Sequence, residues 1–241
     1  MGYDSLWGTS VMAFTITGTK STASTSNTTS YASGTFTALA GEYLIVFVVS
    51  TNTLATGTMT GSMTYTKITS TTFGATNANT VYAFISNEVP SSSSAHTATF
   101  SCAGDAATGA LMFVIRIQPD YIGAKYALSA VKQYATTNGA AASTPTATLG
   151  AVTDTNNPVL LFVGNLTNPA ALNAGGGLTE MYDTGYSTPT TGGWVGFTSN
   201  GYTSSSVAAG SPSTSYYGGI AIELDVTPAP TTNTSNFFSF F

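Results

Sequence analysis

His96 is the single histidine of the chain, and it follows four consecutive serines, Ser91, Ser92, Ser93 and Ser94. A serine nucleophile needs an imidazole to take its proton and a third group to orient that imidazole. One histidine allows one such site at most and excludes a histidine-based metal cluster within one chain. A triad is defined in space rather than along the chain, so the run reads as a hydroxyl-rich loop entering a strand. Paired carboxylates are the other route to chemistry, since a glycosidase sets two of them about a sugar bond. Glu180 and Asp183 are the nearest candidates. In a strand their spacing sends the two side chains to opposite faces unless a bulge or turn intervenes.

Asp154, Thr155, Asn156 and Asn157 offer oxygens to a calcium ion, yet these are turn-forming residues, and neither the glycine nor the distal glutamate of a calcium loop follows. Gly175, Gly176 and Gly177 lack the Lys-Ser/Thr continuation and the helix of a phosphate cradle, so they read as a loop between strands. Arg116, the sole arginine, ends an apolar run, where an ion pair or an interface contact is expected. Cys102 stands alone, which rules out an intramolecular disulfide, and its strand-like neighbourhood suits packing rather than reactivity. The expectation is a protein with no catalytic residue, no metal and no cofactor, and not an enzyme.

Composition narrows the partners. Charged residues are 6% of the chain, against roughly 25% in ordinary soluble domains, while hydrophobic residues reach 42%. The surface must then be built from Ser, Thr, Asn and Gly. Such a surface repels neighbours weakly and suits either a packed assembly or a secreted module. Ten acidic against five basic residues give no electrostatic footprint for a phosphate backbone, so nucleic acid is not an expected partner. No apolar run approaches the roughly 20 residues of a spanning helix, and no membrane partner is expected. Residues 1–14 carry Asp4 and no Lys or Arg, unlike a signal peptide, which points to synthesis in the cytoplasm.

The elements that must position these residues are strands. Apolar stretches at 11–17, 43–50, 63–69, 81–86, 111–117, 159–163, 194–198 and 219–226 are short, rich in Val, Ile, Phe, Tyr and Thr, and closed by turn residues. Residues 121–134 alone lean towards helix, and even there Ser129 to Tyr134 alternates as a strand does. The second half replays the first in the same order. Residues 35–40 and 43–48 match 146–151 and 159–163; 61–66 match 176–181; 81–87 match 194–200; and 109–117 match 218–226. Within the closing pair, 111–117 is continuously apolar until Arg116, as in a strand buried on both faces. Ile220, Ile222, Leu224 and Val226 instead alternate with Ala221, Glu223 and Asp225, which predicts one face open to water or to a partner.

The expected fold is therefore all-β, an antiparallel β-sandwich of jelly-roll-like kind, with two related halves packed together and extended N- and C-terminal arms. The divisions are an N-terminal arm and first strand at 1–29, a first sandwich half at 30–118, a connector at 119–142, a second half at 143–226 and a tail at 227–241. That tail begins as a Pro/Thr spacer and ends with Phe237, Phe238, Phe240 and Phe241. Each phenylalanine can bury on the order of 150 to 250 Å², so these four are the expected partner-binding residues, docking on this chain or on a neighbour.

The order of an apolar strand at 43–49, a Gly-Leu-Thr strand at Gly177, Leu178 and Thr179, a short aromatic strand and a closing Gly-Gly-Ile-Ala-Ile-Glu strand at 218–223 resembles the β-sandwich modules of tailed-bacteriophage structural proteins. The resemblance covers most of residues 30–226 and carries over no catalytic or ligand-binding residue. It implies a virion protein made in the host cytoplasm, acting as a capsid decoration or cement protein, a tail appendage or a fibre domain. Its partners would be capsid or other virion proteins and further copies of itself, as a homo-oligomer for which a trimer is frequent in such roles. The alternative is a tail or fibre module that grips glycans through exposed aromatics such as Tyr186, Trp194, Tyr202, Tyr216 and Tyr217, although core packing is the plainer reading for the last pair, just before a strand.

Overall fold

A computed structural model describes residues 14–26, 28–51, 56–102, 109–120, 124–140, 144–152, 154–166, 174–187, 190–198, 201–210 and 216–225. Ten strands come first: β1 (Phe14–Ser24), β2 (Ser30–Ala32), β3 (Phe36–Ala38), β4 (Tyr43–Ser50), β5 (Thr58–Gly61), β6 (Tyr65–Phe73), β7 (Asn79–Ser86), β8 (Ser94–His96), β9 (Ala98–Ser101) and β10 (Ala110–Pro119). A 3-10 turn at Ala127–Ala130 leads into β11 (Val131–Gly139), β12 (Thr146–Thr148), β13 (Val159–Asn165), β14 (Thr179–Ser187), β15 (Thr190–Phe197), β16 (Ser206–Ala208) and β17 (Tyr217–Leu224). The chain is all-β, and the stretch with helical leanings becomes the strand β11. None of its helices among the described residues is long and apolar enough to cross a membrane.

Alternation within each strand decides the layers, because successive side chains of a strand point to opposite faces. Strands β1-β10-β4-β7-β6 form one antiparallel sheet and β11-β17-β13-β15-β14 form another. Their facing sides share a single core that includes Ile45, Phe47, Phe113 and Ile115 from the first sheet and Leu160, Phe162, Ile220 and Ile222 from the second. The opposite side of the first sheet, with Leu44, Val46, Val48, Tyr82 and Phe84, is covered by residues of β2, β3, β5 and β9. The opposite side of the second, with Leu161, Val163, Trp194 and Ala221, is covered by the pair β12-β16. The result is four layers, and the two middle sheets are apolar on both faces. That is why β4 and β13 are buried at every position and read as unbroken hydrophobic runs.

One expectation is corrected here. The side of β17 predicted to face water is covered, for Ala221 and Glu223 are fully buried. Ala221 enters the outer core, and the Glu223 carboxylate accepts hydrogen bonds from Asn157 Nδ2 and Gln133 Nε2. Polar alternation along a strand marks which side is more polar. It does not show whether another layer supplies hydrogen-bond donors to that side.

The two large sheets have the same strand order, and local hydrogen bonds fix how they correspond. Ser86 Oγ accepts from Leu44 N at 2.9 Å, and Thr198 Oγ1 accepts from Val159 N at 3.3 Å. Carried through the strand pairing, this makes Phe47 the counterpart of Phe162, Tyr82 of Trp194, Phe84 of Gly196 and Arg116 of Glu223. The matching read from sequence differs by one residue on the central strands and by two on the closing strand. A one-residue slip exchanges the faces of a strand, and sequence patterning cannot detect it where both faces are apolar.

Volume is conserved across the correspondence rather than residue type. Tyr82 and Phe84 stack with ring centroids 5.9 Å apart, whereas Trp194 spreads its indole over Gly196, where a methyl group would overlap Cη2. Between the sheets, Gly164 and Gly193 leave room for large residues opposite. A Cβ at Gly164 would lie 2.6 Å from Val81 Cγ1, and one at Gly193 would lie 2.7 Å from Phe113 Cε2.

All four edge strands of the two large sheets are bulged, between Gly18 and Lys20, Lys67 and Thr69, Val131 and Gln133, and Glu180 and Tyr182. The edges also abut in pairs, β1 against β14 and β6 against β11. Bulging and covering both blunt an edge against pairing with a foreign strand.

Candidate functional site

The carboxylate pair meets the condition set for it by sequence. The bulge at Met181 leaves Glu180 opposite Gly196 and Asp183 opposite Trp194, so both acids lie on the Trp194 face of the sheet. Glu180 is already engaged there, its Oε2 accepting from Trp194 Nε1 at 3.0 Å. An exposed acid thus satisfies the one polar atom of a fully buried indole.

His96 and Ser94 also come together, with Oγ 2.7 Å from Nε2. They are neighbours on one face of β8, and the imidazole stacks on Phe36 at 6.3 Å between centroids. The other ring nitrogen, Nδ1, is buried without a hydrogen-bond partner, so no acid orients this base as a triad requires. No group of three or more metal-ligating side chains forms among the described residues.

The remaining polar candidates serve local structure. Asp154 Oδ1 accepts from Asn156 N and Asn156 Nδ2, both at 2.9 Å, and its carbonyl accepts from Asn157 N at 3.0 Å, which makes the segment a turn. Gly176 and Gly177 have φ of 57° and 85° in the loop before β14. Arg116 Nε lies 3.2 Å from Glu42 Oε1, and Nη1 donates to Thr37 O at 3.1 Å. Cys102 is buried in the outer core of the first half.

The aromatics expected to be exposed are mostly interior. Trp194 and Tyr202 are buried, and Tyr216 and Tyr217 pack against the central and outer cores. Their hydrophobic bodies fill the cores on both faces of the second sheet, a use that residue type alone does not distinguish from ligand stacking. The Tyr186 side chain and Phe237, Phe238, Phe240 and Phe241 lie outside the described residues.

Apart from Leu39, at 40%, the exposed large apolar side chains among the described residues lie in the turn before β11 and on β11 itself. Tyr126 is 48% exposed, Leu128 47% and Tyr134 51%. Tyr126 is extended, and Ala127 then adopts φ 52° to begin the 3-10 turn. For a residue with a Cβ the left-handed region costs roughly 1–2 kcal/mol, so the surrounding contacts must hold it. Ser129 Oγ donates to Tyr126 O at 2.6 Å, and Asp225 N donates to Ala130 O at 2.9 Å. Lys125 Nζ reaches Asp225 Oδ2 at 2.8 Å. The turn buries Ala130 and presents Leu128 outward. Leu128, Val131, Lys132, Gln133 and Tyr134 line an open concavity, and Tyr126 borders a second one with Val89, Pro119 and Lys125. The Gln133 amide is turned inward, donating to Glu223 and accepting from Gly150 N at 2.8 Å. The sequence signal for this surface was a tyrosine on the outward side of an alternating strand.

By fold and surface the chain is an all-β protein of four layers whose described residues include an exposed apolar surface at Leu128 and Tyr134. No family model matches the chain, and no curated protein or solved structure matches it either.

Proposed function

We propose that the chain is a non-enzymatic structural protein of a virion, a decoration or cement subunit that stabilises a shell by burying its apolar surface against neighbours. The observation that carries this reading is the surface of Tyr126, Leu128 and Tyr134, held outward by a strained Ala127 on an otherwise filled body. Strain maintained by several contacts is a mark of a surface in use. The low charge of the chain supports the same reading, since weakly repelling surfaces pack. Mass spectrometry of particles purified from the virus that encodes the chain tests it. A fixed stoichiometry with the shell protein is expected, and absence from washed particles would sink the proposal.

A second reading, glycan binding, rests on the half-exposed rings of Tyr126 and Tyr134. Saccharide recognition commonly pairs an aromatic platform with free polar groups, and here the nearest amide, that of Gln133, is committed to Glu223 and Gly150. Glycan-array binding that disappears in Tyr134→Ala would favour this reading over the first.

A further inference from the structure

We propose that the phenylalanine-rich segment at 237–241 of one copy docks on the Tyr126, Leu128 and Tyr134 surface of a second copy. The inference rests on the reading of the chain as an assembly subunit and names the contact by which it would associate.

The geometry starts at Asp225. Its backbone N–H is bonded to Ala130 O and its carboxylate to Lys125, so the chain leaves β17 beside the turn that presents Leu128. The residues that follow carry no charge, and the spacer contains Pro228 and Pro230. Such a composition favours an extended chain of about 3.1 Å per residue, so the linker to Phe237 is long enough to span up to about 37 Å. A segment meant for the surface beside its own exit needs no such spacer. Reaching across to a neighbour does, and the prolines lower the entropy lost on ordering.

The chemistry of the two sides agrees. The concavity offers the Tyr134 ring, Leu128 and the Val131 side chain, with Lys132 its one charged lining residue, and the half-exposed Tyr126 stands two residues before Leu128, beside a second concavity that Lys125 also lines. The segment offers four phenylalanines and no acidic side chain, so its side-chain contact is apolar and the ammonium stays at the rim in water. Because tail and surface are different patches, the contact is heterologous. It closes by reciprocal exchange in a dimer or around a ring.

Light scattering on the full chain tests this, at matched concentrations, beside two variants. One is Leu128→Ser with Tyr134→Ser; the other replaces Phe237, Phe238, Phe240 and Phe241 by Ser. Wild type is expected to associate, and each variant about tenfold more weakly or worse, as for loss of anchor residues. An equimolar mixture of the two variants is expected to regain association, because one supplies an intact tail and the other an intact surface. A monomeric wild type, a variant that associates like wild type, or a mixture no stronger than its components would each overturn the proposal.

Should the surface variant fail to fold, a photo-cross-linker at position 238 in a mixture of isotopically light and heavy chains gives the answer. Cross-links from 238 to the 126–134 region of the opposite label are expected, and links within one label alone would mean docking in cis and overturn it. A monomer found in particles removes this contact and keeps the assembly role. A self-associating chain absent from particles does the reverse.

Discussion

Phe47 and Phe162 occupy corresponding places in the two large sheets, and their rings stack on one another with centroids 5.0 Å apart and planes 25° from parallel. The contact sits where the two halves meet, and Phe113 closes on Phe162 at 5.7 Å. The central strands β4 and β13 of the two sheets thus pack face to face.

Removing either ring leaves a cavity between the sheets. Phe47→Ala and Phe162→Ala are each expected to cost about 3–5 kcal/mol in denaturant unfolding. The double variant should cost less than the sum, by about 0.5–1.5 kcal/mol for the lost ring pair. Strict additivity would mean that the sheets do not depend on this contact.

Arg116 and Glu223 correspond in position and carry opposite charge, each with its own partner, Glu42 and Asn157. Glu223→Arg alone puts a buried cation against the donating amides of Asn157 and Gln133, and should destabilise strongly. Adding Asn157→Glu, which transplants the pair of the first half, should recover about 0.5–3 kcal/mol in a double-mutant cycle. A coupling of zero would show that the two places are not equivalent.

Gly196 is paired with Trp194 by volume. Gly196→Ala should cost about 1–3 kcal/mol through overpacking. With Trp194→Phe in place, the same substitution should cost markedly less. If thermal unfolding shows the same loss in both backgrounds, the indole is not what the glycine accommodates.

Burial raises the phenol pKa of Tyr31, Tyr82, Tyr182 and Tyr202, and burial together with the Glu88 carboxylate raises Tyr65. The folded state therefore holds these phenols neutral above their unfolded value near 10. The stability this contributes is complete below about pH 10 and is lost as pH rises through the folded values. Urea midpoints measured across the alkaline range should fall, with part of the phenolate absorbance developing only on unfolding. Tyrosines that all titrate near their ordinary value in folded protein would contradict this.

Much of the architecture was legible in the chain. The run at 43–50 is a strand of those bounds, whereas β1 and β6 run past the expected ends at 17 and 69. The two large sheets do share one strand order, though the residue matching read from sequence is displaced from it by one or two residues. The polar candidates were legible less well, because the bulge that brings Glu180 and Asp183 to one face depends on pairing with β15. The contact of Ser94 with His96 follows from a two-residue spacing on a strand, so it was available from sequence once β8 was known to be one.

The sequence by itself determined that this is an all-β protein, since strand patterning, turn residues and composition are local properties that each short segment carries. It also determined the scarcity of ionisable groups. Only the tertiary structure decided the register between the halves, the burial of Glu223, the interior place of Trp194 and Tyr202, and the exposure of Leu128 and Tyr134. These depend on which layer covers which face. Coverage is a non-local matter, fixed when distant strands pack and not by the residues of any one of them.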